Sequence, residues 1–408
     1  MQKDFDLVII GAGITGTSTL FNLLNDGYKG KILVLDMLDA VAESSTALGA
    51  GGFRNIWSTE INMRLTTYSI SKFKTFKEDF GVSIGYEPNG YLFTYYAKPW
   101  QTIVNYKPEW DKTGVRIKLL KPEEIEKIIP GLKSKVDHIP QDLRDMIGFE
   151  DIVGGLFGED CGYFDPTAIA KGYVEQARKN FGDQAQIRLK TEVKRIVIEG
   201  EKVAGVELID GTRIGCDKVL AANASYVVPL LKESGLTGDD NLPINPVKRM
   251  LFITNLPASG RWEHMPLTII DKGIYFRFEA GNLLVGHARK DQAPGFDITP
   301  ELAWYKEETN PYMQERIPGT EYCNVRSMWG GLYDDNYADH NAILGEHLHI
   351  KNLYLAVGFS GHGAMEGPAV GKCMSELIHQ GEYNTIDASP LSMKRFKEKK
   401  LVLEKIVI

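Results

Sequence analysis

The chain has 408 residues, with 47 lysines and arginines against 54 aspartates and glutamates, a net charge of −7. Hydrophobic residues at 43% and charged residues at 25% describe an ordinary globular chain, long enough for two cores. Folding should bury roughly three-quarters of the unfolded surface, so no disulfide or metal staples are required. The acidic balance sets aside a non-specific nucleic-acid binder, and no uncharged apolar run approaches the ~18 residues of a membrane helix. The start, Met1-Gln2-Lys3-Asp4-Phe5-Asp6, puts acids where a signal peptide needs a basic region. Cys161, Cys216, Cys323 and Cys373 lie far apart without a CxxC pair, so they read as reduced cytosolic thiols and no metal site is expected.

Residues 6–10 (DLVII) are a β-branched run ending directly in Gly11-Ala12-Gly13-Ile14-Thr15-Gly16. A helical pattern follows, with Leu20, Phe21, Leu23 and Leu24 on its apolar side, and stops at Asn25-Asp26-Gly27. Residues 31–36 (KILVLD) form a second buried strand whose final acid, Asp36, lies twenty residues after Gly16. Strand, glycine turn, helix, strand and acid in this order are the dinucleotide-binding βαβ unit. Gly11 permits the tight turn, Gly13 lets the backbone approach a pyrophosphate, and Gly16 lets helix and strand pack closely. The helix N-terminus at Ile14 and Thr15 faces the phosphates with free N–H groups. Asp36 is expected to accept hydrogen bonds from the adenosine ribose. Next come the hydroxyls of Ser44, Ser45 and Thr46, then Gly51, Gly52, Phe53 and Arg54. A bland Ser/Gly surface loop is the default for such a stretch. Its apolar continuation suggests instead backbone lying against a flat ligand, with an arginine aimed into a pocket.

Residues 352–357 (NLYLAV) read as a strand running into Gly358-Phe359-Ser360-Gly361-His362-Gly363, with a helix opening around Pro368 and running to Ile378. This run closely resembles the GFSGHG segment of the D-amino-acid-oxidase/sarcosine-oxidase superfamily of FAD enzymes. The resemblance implies that Gly358, Ser360, Gly361, His362, Gly363 and Met365 sit near the flavin, where a helix N-terminus stabilises negative charge on the reduced ring. Similar matches span the chain. Gly162-Tyr163-Phe164-Asp165-Pro166-Thr167 precedes a helix to about Phe181. Thr191-Glu192-Val193 opens a strand pair in which the Val193 backbone would meet the adenine. Residues 220–225 include Ala222, next to the cofactor, and Asn223, where a glycine is usual. Within the superfamily the resemblance is nearest to dye-linked L-proline dehydrogenases, carried by residues 52–62 (GFRNIWSTEIN), 248–252 (KRMLF) and 329–334 (WGGLYD), with Gly331 as a cofactor contact.

The implied fold is α/β, α+β overall: a Rossmann-type FAD-binding domain of the glutathione-reductase type, interleaved with a substrate domain on a mixed, largely antiparallel sheet. The cofactor part is expected at residues 1–82, 147–225 and 325–385, the substrate part at 83–146 and 226–324, and a tail at 386–408. The tail is basic and then apolar; it is expected to fold back on its own domain or a sister subunit, with a membrane surface as the alternative.

An amino-acid substrate needs a carboxylate clamp, for which an arginine fork is the best match. Arg54 is the first candidate, by its family position. Arg277, between Phe276 and Phe278 on an expected strand, is the second, and Tyr275 the third. Their bland alternatives are a salt bridge at the domain seam, a solvent-facing arginine and packing. His362 would act through its backbone rather than as a general base. Met365 stands where sarcosine oxidases carry a lysine that binds the carboxylate. Ser327 stands near their flavin-tethering cysteine, and Leu48 or Gly49 replaces the tethering histidine of related dehydrogenases, so noncovalent FAD is expected. Leu284 stands near the lysine that assists oxygen reduction, which implies poor oxygen reactivity. The resulting expectation is an FAD-dependent dehydrogenase that oxidises the C–N bond of a secondary-amine amino acid. L-proline, going to 1-pyrroline-5-carboxylate, is the best guess. Electrons would pass to a quinone, a dye or a partner protein. The alternatives are a peroxide-forming sarcosine/glycine-type oxidase and a flavin-bearing subunit of an electron-transfer complex. A cytoplasmic place is expected, peripheral to a membrane only through the acceptor, and a homo-oligomer is left open.

Overall fold

Leu7, Val8 and Ile9 have no exposed surface, which puts the first strand, Phe5–Ile10, in the middle of its sheet. The computed structural model describes residues 2–257, 262–289 and 292–407. Across the first sheet the strands run Ile343–Glu346, Leu353–Val357, Arg213–Ala221, Phe5–Ile10, Ile32–Leu35 and Ala185–Arg188, parallel throughout except for the first pair. Val193–Glu199 and Lys202–Leu208 extend it antiparallel from Arg213–Ala221. Parallel strands this apolar require cover on both faces. Leu7 and Ile9 pack with Leu20, Leu23 and Val370 of the helices Ile14–Asn25 and Gly363–Gln380. Val8 and Ile10 point the other way, into a cluster with Leu230 and Leu231 of the helix Val227–Glu233.

The second sheet runs Val325–Asn336, Ile244–Asn255, Asn282–His287, Ile274–Glu279, Leu267–Ile269, Tyr91–Tyr95, Gly154–Gly158 and Ile117–Leu120. Its neighbours are antiparallel except Leu267–Ile269 beside Tyr91–Tyr95. This is the mixed, largely antiparallel sheet expected, but its borders differ. Gly154–Gly158 and Val325–Asn336 were assigned to the cofactor part and belong to the second sheet. The cause is continuity. Val325–Asn336 follows Ile244–Asn255 for its whole length, from Thr254 opposite Val325 to Ile244 opposite Asn336. One strand therefore starts among the substrate-side strands and ends beside the first sheet, and residue 325 is no boundary.

The helix expected around Pro368 begins at Gly363, with Pro368 inside it. The helix Pro166–Phe181 starts as its sequence suggests, with Asp165 accepting the N–H groups of Thr167 (2.8 Å) and Ala168 (3.3 Å) and a proline in the first turn. Gly16 earns its place sterically: a Cβ there would lie 2.0 Å from the carbonyl oxygen of Gly11. Gly16→Ala should therefore destabilise the protein by about 3 kcal/mol, the upper end for an overpacked site, because the obstacle is backbone. A thermal melt reads this out, and an unchanged melting temperature would contradict the close crossing of strand and helix.

Candidate cofactor and substrate site

A cavity of about 570 Å³ is lined from both sheets. At one end lie Asp36, Thr191, Val193 and Ile209. Its middle is formed by Gly11, Gly13, Ile14 and Thr15, facing Ser44, Ser45 and Thr46, with Ala222 and Asn223 alongside. The far end holds Gly51, Gly52, Arg54, Gly331 and the run Ser360, Gly361, His362, Gly363 and Met365. Beyond them stand Tyr91, Arg249, Leu251, Leu267, Tyr275 and Tyr333.

Asp36 pins the glycine turn to the second strand. Its carboxylate accepts the N–H groups of Ala12 (2.7 Å) and Leu38 (2.9 Å) and retains lone pairs for a ribose. The Ile14 N–H donates to Thr46 Oγ1 at 3.2 Å. The helix Ile14–Asn25 has no side chain of its own capping it and no acid in its first turn, so no negative charge of its own competes with a phosphate for its positive end.

The Gly358–Gly363 loop is bent by three left-handed residues: Gly358 (φ 70°), Ser360 (φ 47°) and Gly361 (φ 83°). For serine this conformation is uncommon and must be held. Asp334 and Asn336, at the end of the long strand, hold it. Asp334 Oδ2 accepts the N–H groups of Gly358 (2.8 Å) and Phe359 (3.1 Å). The Ser360 N–H donates to the Asp334 carbonyl (3.1 Å), and Ser360 Oγ accepts the Asn336 N–H (2.9 Å). Neither residue is singled out by the sequence, although both close a strand that enters the site. Burial pushes the Asp334 carboxyl up to about 6.

Four expected contacts lie outside the cavity lining. Gly16 acts by packing, as described. Phe53 is buried in an aromatic cluster with Phe73, Tyr86 and Phe164. Gly358 bends the loop from behind, where a Cβ would meet Ile244 at 3.0 Å. Arg277 is the substantive correction to the clamp. Its Nε donates to the Ala50 carbonyl (2.8 Å), and its Nη1 to the Phe278 carbonyl (3.0 Å) and the Glu279 carboxylate. It ties two segments together. Tyr275 does line the cavity, and burial holds its phenol up to about 12, so it stays an O–H donor.

Arg249 was missed as a site residue. Its guanidinium stands 4.6 Å from the Tyr333 ring centroid, and its buried Nε has no hydrogen-bond partner. Among the described residues it forms no ion pair, whereas the neighbouring Lys248 turns away to Glu301. Arg54 is buried over Trp57, 3.5 Å from the ring centroid. Two of its donors are committed, to the Ile56 carbonyl and, at 2.5 Å, to the Ile406 carbonyl. Both arginines line the same cavity.

Ile406 belongs to the tail, which folds back on its own chain. Arg395 anchors it through a buried pair with Asp339 (2.7 Å). Glu404, 1% exposed, accepts the backbone and hydroxyl donors of Ser58 and Thr59, Asn62 Nδ2 and the Ile406 N–H. The tail thus supports Arg54 from behind.

A βαβ glycine turn opening into a long cavity that ends among aromatic rings and arginines defines a dinucleotide-dependent oxidoreductase. The chain belongs to the FAD dependent oxidoreductase (DAO) family, whose sequence profile matches residues 6–377. It is 27% identical over 439 aligned positions to the FAD-dependent oxidoreductase domain-containing protein 1 of Xenopus laevis, covering 99% of this chain and 85% of that protein. Among solved structures it is similar to the L-proline dehydrogenase from P. horikoshii, with a TM-score of 0.83, 24% identity, and 98% and 100% of the two chains covered. It is also similar to the glycine oxidase from Bacillus cereus ATCC 14579, with a TM-score of 0.72, 23% identity, and 93% and 96% covered. FAD is the cofactor of the family, and the open helix end, the glycine turn and the length of the cavity fit it.

Two outcomes follow from the supports of the site. Glu404→Ala orphans several buried donors at ~1–3 kcal/mol each and should cost roughly 3 kcal/mol in a urea melt; a change under about 0.5 kcal/mol would mean the tail is not docked. Asp334 binds its proton more tightly in the folded chain than in the unfolded one, so its contribution to stability is present at low pH and lost as pH rises from about 4 to about 6. Asp334→Asn should flatten that decline in the cofactor-free protein, by about 3 kcal/mol for a shift of about two pK units. An unaltered pH–stability curve in the variant would refute the assignment.

Proposed function

We propose that the protein is an FAD-dependent dehydrogenase of a secondary-amine amino acid, L-proline going to 1-pyrroline-5-carboxylate being the favoured substrate. The observation that carries this is Arg249, a cation facing the aromatic end of the cavity without a carboxylate of its own. Such a fork is matched to a substrate carboxylate, and Arg54 lines the same cavity. Tyr91, Leu251, Leu267 and Met365 offer apolar walls that suit ring methylenes and exclude water. Tyr275 adds a phenol O–H to orient the substrate. FAD supplies the two-electron acceptor for the C–N bond. The chain supplies position and a dry site, with the amine entering neutral.

For the electron acceptor, the likeness that sets Leu284, buried in its strand, where related oxidases carry an oxygen-assisting lysine supports a quinone, a dye or a partner protein. Among the described residues no cysteine lines the cavity, and both ring nitrogens of His362 are buried, which supports noncovalent FAD. The fold likeness to an L-proline dehydrogenase supports the choice of substrate. The four free, buried thiols suit the cytoplasm as its place.

Anaerobic titration tests this. L-proline should bleach the flavin, with slow recovery in air. Arg249→Ala should raise KM for L-proline by roughly 10- to 100-fold, the loss of a charged hydrogen bond worth ~1.5–3 kcal/mol, with Arg249→Lys in between. Bleaching by glycine or sarcosine with rapid peroxide formation would contradict the proposal and make the protein an oxidase.

A further inference from the structure

His362 and Glu366 face each other on the first turn of the helix Gly363–Gln380, with Nδ1 of the histidine 4.0 Å from Oε1 of the glutamate. Both are buried, Glu366 completely. Among the described residues neither ring nitrogen and neither carboxyl oxygen has a hydrogen-bond partner, and Oδ1 of Asn62, a residue hydrogen-bonded to Glu404, is also unpartnered. Four orphaned polar atoms on two adjacent titratable groups are costly, and native proteins keep few of them. The surroundings exclude the simple remedy of an ion pair at rest. The His362 ring sits 4.1 Å from Trp57, whose other neighbour is the Arg54 guanidinium. Burial first, then Arg54 and His340, hold the imidazole neutral. Burial first, then Glu404, and Asp334 less strongly, hold the Glu366 carboxyl protonated, with Arg54 opposing. The pair is thus one acid with an O–H to give and one base with a lone pair to take it, held next to each other.

We propose that Glu366 and His362 share one proton and that this proton moves when the flavin is reduced. In the oxidised protein the proton rests on Glu366; closing the 4.0 Å gap to His362 Nδ1 by about 1 Å would let the O–H donate there, with the other ring nitrogen carrying the N–H. Asp36 and His362 line the same cavity, so an FAD whose ribose met Asp36 would have its redox-active ring toward the His362 side. Reduction adds negative charge at that ring. With reduced flavin bound, the added charge would favour breaking the Glu366 O–H bond and forming an N–H bond at His362 Nδ1, which puts the imidazolium on the residue of the pair that lines the cavity. No proton is taken from solvent, and both electrons come from whatever reduces the flavin. Glu366 is a positioning residue that acts through His362 and raises the readiness of the flavin to accept electrons. This inference rests on the FAD cofactor alone and not on the choice of substrate.

Electrochemical reduction of the holoprotein, without any amino acid, tests it. Infrared difference spectra of the unaltered protein should show a protonated-carboxyl band lost on reduction, and that loss should be absent in Glu366→Gln. Glu366→Gln should hold less reduced flavin at equilibrium by about tenfold, a midpoint potential lower by about 30 mV for a two-electron couple. A spectrum with no carboxyl change, a carboxyl change that persists in Glu366→Gln, or an unshifted potential in a variant that retains its FAD overturns the proposal. The spectrum of the unaltered protein decides it even where the variant does not fold.

Discussion

Everything at the cofactor end depends on one carboxylate receiving two backbone N–H groups. Asp334 ends the long strand of the second sheet and holds Gly358 and Phe359 of the loop that leaves the first sheet. Through it the two sheets are joined at the wall of the cavity. The left-handed Ser360 is tolerated because the same strand supplies a second and third hydrogen bond to it. A loop with three left-handed residues in four would otherwise be free to relax. Here it is fixed by a strand whose far end runs among the substrate-side strands, so the geometry of one half is transmitted to the other.

The βαβ unit was legible because its information is local. Strand, turn, helix and acid follow one another within about thirty residues, and each glycine has a steric duty that no other residue meets. The proline-capped helix at Asp165 was legible for the same reason. The carboxylate clamp was not. Arg249 and Arg277 each sit on an alternating strand, and period two says only that neighbours face opposite ways, not which face meets the cavity. Pairing decides it: Arg277 finds Ala50 and Glu279, whereas Lys248 takes Glu301 and Arg249 lines the cavity. The border near residue 325 failed because a twelve-residue strand crosses between the two halves, and nothing in its composition marks the crossing. The start of the helix at Gly363 was hidden by Pro368, which reads as a first-turn proline but lies inside the helix.

Arg54 illustrates how a site residue is built from distant chain. Its aromatic platform comes from Trp57 three residues on, and one of its anchors from Ile406, near the other end of the sequence. Glu404 gathers donors from Ser58, Thr59 and Asn62, so the tail closes the segment that carries the arginine. The tail docks on its own chain, as one of the two expectations held. Its inner face serves the site, while Leu401 and Leu403 remain half exposed on the other side. The same packing that fixes Arg54 over Trp57 also confines His362 and Glu366, so the cation, the ring stack and the unpaired acid form one buried unit behind the cavity.

The central claim is that the far end of the cavity is a carboxylate site organised by Arg249. The most direct measurement is a crystal structure of the oxidised holoprotein with an unreactive five-membered-ring carboxylic acid that lacks the amine. The account predicts the carboxylate on the Arg249 fork, the ring between the flavin and the Tyr91–Leu267 wall, and Arg54 still bonded to the Ile56 and Ile406 carbonyls. A carboxylate bound away from Arg249, with that guanidinium turned to a protein partner, would contradict it.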